Sequence, residues 1–311
     1  MNASSDNIST QFSQMLTDVP TMLFWTILIC VIGFAVCMFG LNNGIERVTK
    51  VMMTALILIM VVLAIRSVTM AGAGEGISFY LIPDFHKMVE SGIGNVVFAA
   101  LSQAFFTLSI GIGAMLIFGS YLDQSRSLTG EAVNIMLLDT FVALTAGFII
   151  IPACFAYGIE PGAGPSLIFI TLPNIFAQMS GGRIWAFLFF LFLTFAALST
   201  IIAVFENLVM FNMELLGWRR KKSVLVCATL IIILSIPCVL GFNVWSGVQL
   251  LGEGSTIMDL EDFIVSNNLL PLGSLGYVLF CTRKNGWGWD AFIKEVNTCL
   301  LYTSDAADDR I

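Results

Sequence analysis

The stretch Gln103-Ala104-Phe105-Phe106-Thr107-Leu108-Ser109-Ile110-Gly111-Ile112-Gly113-Ala114 sets two glycines and two hydroxyls in the middle of an apolar run over roughly residues 93 to 121. About 20 apolar residues in helical form cross a hydrocarbon core about 30 Å thick. Gly111 and Gly113 weaken a helix where they stand. A run of spanning length with a weak centre predicts a membrane helix broken in the middle. Unwinding there bares carbonyl oxygens and amide N–H groups that can coordinate Na⁺ and the carboxylate and amine of a substrate. Small residues also line ordinary helix contacts in membranes, so the glycines alone leave packing open as a second reading.

Working outward, six more apolar stretches of spanning length run approximately over 21 to 41, 48 to 70, 132 to 157, 182 to 213, 223 to 243 and 263 to 282. Composition agrees: 58% of residues are hydrophobic, 11% are charged and the mean hydropathy is +0.92, against about 25% charged in a soluble domain. Backbone groups in lipid must be satisfied within the segment, so the spans are expected to be helices and the fold all-α and polytopic. Residues 1–297 read as one transmembrane domain.

Loop charge sets the orientation. Arg47, Lys50, Arg126, Arg219, Arg220, Lys221, Lys222, Arg283, Lys284 and Lys294 fall on one side, and only Arg66, Lys87 and Arg183 on the other. The positive-inside rule puts the first set in the cytoplasm and residues 1–20 outside it. Residues 1–20 do not resemble a signal peptide, so a chain starting outside is expected to follow further upstream spans. At the other end, Asp290 to Asn297 reads as an amphipathic cytoplasmic helix. The small, acidic 298–311 segment is expected to be either foreign sequence or an ordinary disordered terminus.

Polar groups deep in apolar spans are costly unless they face a cavity or a partner. Asp139 lies about eight residues into the fourth span and reads either as an ion site or as an acid reaching interfacial water, and Pro152 implies a kink later in that span. Ser199 and Thr200 follow Ala196 in the fifth span, ahead of Glu206. Their hydroxyls either bond their own helix carbonyls or complete an oxygen cage for a hard cation. The loop from Gly158 to Gly182, with Pro161, Gly162, Gly164, Pro165 and Pro173, is long for a simple turn and predicts a folded cap.

Other chemistry finds little support. One histidine, His86, excludes bis-histidine haem and ordinary zinc sites. Seven cysteines, Cys30, Cys37, Cys154, Cys227, Cys238, Cys281 and Cys299, sit mostly inside apolar spans without metal-ligand spacing and read as buried filler. The sequence carries no phosphate-binding glycine loop, nucleophile elbow or paired catalytic carboxylates, so an enzyme is not expected. Nor is a nucleic-acid partner.

Several motifs together carry a family resemblance. Gly44-Ile45-Glu46-Arg47, Pro83-Asp84-Phe85, the span from Gln103 to Tyr121, Phe169-Ile170-Thr171-Leu172-Pro173 and Phe195-Ala196-Ala197-Leu198-Ser199-Thr200 resemble the neurotransmitter:sodium symporter family, particularly its bacterial amino-acid transporters. The resemblance covers roughly residues 12 to 297, with the motifs in family order and spacing. It implies a partial inverted-repeat, leucine-transporter-like fold in which the seven spans are family helices 4 to 10 and helices 1 to 3 are missing. It also implies sodium-coupled import of an amino acid, hydrophobic or aromatic, across a bacterial inner membrane.

Site residues follow from the same resemblance. Thr107 matches the helix-6 ligand of the first sodium site, and the Ala196 carbonyl, Ser199 and Thr200 match the helix-8 half of the second. Phe106, Ser109, Ile112 and Gly113 line up with the substrate-pocket segment, with Thr200 beside them, and Gln103 and Asp262 with the extracellular gate. Ile112 stands where well-known members have a phenylalanine lid, and Asp139 where they have a sodium-binding asparagine. A fixed carboxylate at Asp139, with Ala143 in place of the chloride-binding serine, implies transport without chloride. The missing helix 1 should supply the other half of both sodium sites, so the chain alone is expected to be inactive. A non-transporting sensor or channel-like protein would use the same broken helix only to bind or gate.

Overall fold

Apolar runs of this length become helices because a helix satisfies every backbone N–H and C=O internally in hydrocarbon, and the computed structural model, described for residues 5–40, 46–120, 127–159 and 164–296, is built of helices joined by turns, with no strand among those residues. In chain order the helices are α1 (Ser5–Thr17), α2 (Val19–Met38), α3 (Glu46–Val68), α4 (Ala73–Leu81), α5 (Phe85–Glu90), α6 (Ile93–Thr107), α7 (Ala114–Gly119) and α8 (Leu128–Ala156). They continue with α9 (Leu172–Gln178), α10 (Gly182–Leu216), α11 (Arg220–Gly241), α12 (Ile257–Ile264), α13 (Leu270–Thr282) and α14 (Trp289–Val296). Gly44, Ile45, Tyr121, Arg126, Pro161, Gly162, Asn297, Cys299 and the 298–311 tail lie outside the described residues.

Six stretches among the described residues are long and apolar enough to span a membrane: α2, α3, α8, α10, α11 and the continuous path Ile257–Thr282 through α12 and α13. The seventh predicted span is interrupted, as its glycines suggest, and appears as α6 and α7. Pro152 does not end α8, which continues to Ala156. The amphipathic segment near the C-terminal end is α14.

The chain divides into two compact units, one made of residues up to Pro83 together with Ala143–Met258, the other of Asp84–Val142 together with residues from Asp259 onward. In the first unit α2, α10 and α11 pack around Cys30, Phe34, Cys37, Ile202, Phe205, Val209, Val224 and Cys227. Phe34 stacks on Phe205 with ring centroids 4.0 Å apart. Gly33 makes this possible, because a Cβ there would lie 2.8 Å from the Phe205 ring, the close approach that small residues give membrane helices.

The Gly158–Gly182 loop carries the expected cap in its described part. A π-helical turn, Leu167–Thr171, runs into α9. Phe169 stacks on Phe12 of α1 at 5.4 Å, and Phe176 packs on Phe189 of α10 at 5.5 Å. Leu172 and Ile175 are fully buried beneath it, each worth roughly 1.5–3 kcal/mol of burial. In the second unit α6 packs against α13 and the π-helical turn Val265–Leu269 that precedes it.

Candidate functional site

The break between α6 and α7 begins as a helix C-terminus. Ile110 N–H donates to the Phe105 carbonyl at 2.9 Å and Ser109 N–H to the Phe106 carbonyl at 3.1 Å. Together these form the Schellman pattern, in which the residue past the helix adopts a left-handed conformation. That residue is normally glycine; here it is Ser109, with φ of 51°, the one non-glycine residue with positive φ among those described. An L-residue in that conformation costs about 1–2 kcal/mol, and backbone strain of this kind concentrates at functional sites. Gly111 and Gly113 then take φ of 93° and 86°, and Gly113 caps α7, accepting from Leu116 N–H at 3.1 Å. These capping bonds satisfy the Phe105 and Phe106 carbonyls and the Leu116 amide, while a helix end leaves others of its last carbonyls and first amides without intrahelical partners.

Thr107 is the final residue of α6, and its hydroxyl donates to Asp139 Oδ1 of α8 at 2.8 Å. Two groups expected at one sodium site, 32 positions apart in sequence, thus meet within the second unit. Phe106, just before the break, and Ile112, within it, have exposed side chains. Gln103 lies one turn before Thr107 and is exposed. Asp262 sits in α12 and accepts the Ser266 hydroxyl at 2.7 Å. Among the described residues no hydrogen bond joins Gln103 to Asp262.

The other expected ligands belong to the first unit. In α10 the Ser199 and Thr200 hydroxyls both donate to the Ala196 carbonyl, at 2.9 and 3.1 Å. This is the local helix bonding that the sequence left open. It also gathers three oxygens at one turn. Ser199 is buried and Thr200 exposed.

One buried ion pair is not apparent from sequence. Glu206 is fully buried in α10, and its Oε2 accepts Arg220 Nη2. Arg220 Nε also donates to the Cys37 carbonyl at 2.7 Å, and the Ser223 hydroxyl to the Val209 carbonyl at 2.9 Å. The start of α11 thus lies beside the 206–209 turn of α10 rather than at that helix's end. Arg220, read from sequence as a loop cation, is withdrawn into the packing. A basic run shortly after a buried acid in the preceding span was the available signal.

A model of the sodium:neurotransmitter symporter family matches residues 7–260. The chain belongs to that family. It is 36% identical over 260 residues to a sodium-dependent transporter of Haemophilus influenzae, covering 83% of this chain and 56% of that protein. It is 38% identical over 245 residues to the sodium-dependent transporter YhdH of Bacillus subtilis, covering 79% and 53%. This chain therefore spans about half the length of these relatives. Among solved structures, that of MhsT in complex with L-phenylalanine matches with a TM-score of 0.84 and 37% identity, covering 95% of this chain and 66% of that one. With its apolar spans, this family member is a multi-pass membrane protein of leucine-transporter-like fold.

Proposed function

We propose that this chain forms part of a sodium-coupled symporter that imports a hydrophobic or aromatic amino acid by alternating access across a bacterial inner membrane, with residues 1–20 on the extracytoplasmic side. The observation that carries the reading is the break after Thr107, where the hydroxyl facing Asp139 stands beside an unwound backbone. Hard cations prefer oxygen ligands. Thr107 and Asp139 offer such oxygens in one unit, and the Ala196 carbonyl, Ser199 and Thr200 in the other.

In this reading Na⁺ is cargo held by those groups, and the amino acid's charged ends engage backbone groups of the unwound segment between Ser109 and Gly113. Phe106 and Ile112 shape the space for its side chain, Thr200 is assigned to the substrate by the family resemblance, and Gln103 and Asp262 act at the outer gate. The bound L-phenylalanine of MhsT supports an apolar amino acid as the substrate class. Asp139 supplies a fixed negative charge, and Ala143 offers no hydroxyl to an anion, so transport proceeds without chloride.

Vesicles containing a full-length protein that carries this chain, loaded with labelled phenylalanine, provide the test. External unlabelled phenylalanine with sodium is expected to drive label out by exchange. Binding without exchange would replace the transport reading with that of a sensor.

A further inference from the structure

We propose that one face of α13 is the positioning surface of the unwound segment, with Gly273 as its key residue. The residues concerned are Leu270, Gly273, Ser274 and Tyr277, spaced i, i+3, i+4 and i+7, which places them on a single helix face. They meet the break where an added Cβ would come within about 3 Å of a facing atom. A Cβ on Gly111 would collide with the Leu270 carbonyl oxygen and press on Ser274 N and Oγ at 3.0 Å. One on Gly273 would collide with the Gly111 carbonyl oxygen, and one on Gly113 would lie 2.8 Å from the Tyr277 hydroxyl. Two backbones therefore touch directly at Gly111 and Gly273, and a phenol stands over the residue that caps α7.

Both partners are irregular at this place. The π-helical turn Val265–Leu269 precedes the contact on α13, Pro271 follows its first residue, and the break itself lies opposite. A π-turn inside a helix commonly marks a functional position. The Ser274 hydroxyl donates to its own Leu270 carbonyl at 2.8 Å, and Leu270 is buried, which fixes this surface. An unwound segment has few hydrogen bonds of its own, so the directions of its carbonyls and amides depend on what it leans against. That these groups then bind Na⁺ and substrate rests on the function proposed above; the positioning does not.

Hydrogen exchange on the 311-residue chain in lipid nanodiscs tests the inference without transport. Gly273→Ala is compared with Gly276→Ala, three residues along the same helix, where an added Cβ meets nothing within 4 Å. Gly273→Ala is expected to speed exchange of the Ile110 and Leu116 amides about tenfold or more, the scale of forcing a methyl into a packed contact. Gly276→Ala is expected to leave them unchanged, and neither is expected to alter α10 or α11. Should Gly273→Ala fail to fold, Tyr277→Leu, which removes the hydroxyl above Gly113 without adding bulk, is expected to loosen Leu116. Equal exchange in the Gly273 and Gly276 variants, or an unmoved Leu116 in Tyr277→Leu, would overturn the proposal. Added sodium is expected to slow exchange at residues 107–113 in a full-length protein that carries this chain. If it does not, the sodium reading fails, while the comparison of variants still decides the positioning.

Discussion

Removing Arg220 is expected to damage the first unit more than removing both members of its ion pair. Arg220 holds the Glu206 carboxylate, which has no exposed surface, and also donates to the Cys37 carbonyl at 2.7 Å. Glu206 Oε1 already lacks a partner among the described residues. Arg220→Met keeps most of the apolar stem but leaves a buried carboxylate with nothing to oppose it. Stranding a buried charge in this way costs about 3–5 kcal/mol. Replacing both residues by apolar ones of similar volume is often neutral or favourable, so Glu206→Met with Arg220→Met should recover most of the loss. Glu206→Met alone is milder, because Arg220 keeps a partly exposed side chain that can extend toward the interface. At about 2–4 °C per kcal/mol for chains of 150–250 residues, Arg220→Met should lower the melting midpoint by on the order of 10 °C. Buried free thiols at Cys30, Cys37 and Cys227 provide the assay, since unfolding exposes them to a thiol-reactive fluorophore. A double variant as unstable as Arg220→Met would refute the reasoning, and so would an Arg220→Met chain that melts like the parent.

Other expectations follow from single positions. At Ser109, glycine accepts a φ of 51° more readily than alanine, so Ser109→Gly should be more stable than Ser109→Ala by about 1–2 kcal/mol, read from hydrogen exchange of the Ile110 amide. The Ser67 hydroxyl is buried without a partner among the described residues, beside a small apolar cavity lined by Leu63, Ile149 and Phe176. Ser67→Ala should therefore be neutral or stabilising by up to about 1 kcal/mol, and a clear loss of stability would indicate a partner for that hydroxyl. Thr107→Val removes the donor to Asp139 at nearly constant shape. A hydrogen bond to a charged group is worth about 1.5–3 kcal/mol, so apparent sodium affinity should fall roughly tenfold to hundredfold in uptake measured against sodium concentration.

Much of the fold is legible in the sequence because lipid imposes one solution on a long apolar run. The break was legible in outline, since Gly111 and Gly113 mark where a helix is weak. Its onset at Ser109 was not, because serine gives no local signal for a left-handed conformation and tertiary contacts must hold it there. Thr107 and Asp139 were assigned by family resemblance, and their hydrogen bond depends on how α6 lies against α8. Arg220 illustrates the limit of charge counting. Its position in a basic run says loop, yet the register of α11 against α10 draws it toward Glu206. The contact of Gly111 with Gly273 is equally silent in sequence, being a relation between two backbones 162 positions apart.

The most direct test of the central claim is uptake of labelled phenylalanine into vesicles by a full-length protein that carries this chain, with sodium and chloride replaced in turn. Uptake is expected to vanish when choline replaces sodium and to persist when gluconate replaces chloride, with Asp139→Asn weakening the sodium response. Uptake indifferent to sodium would contradict the account, and strict dependence on chloride would remove the role given to Asp139.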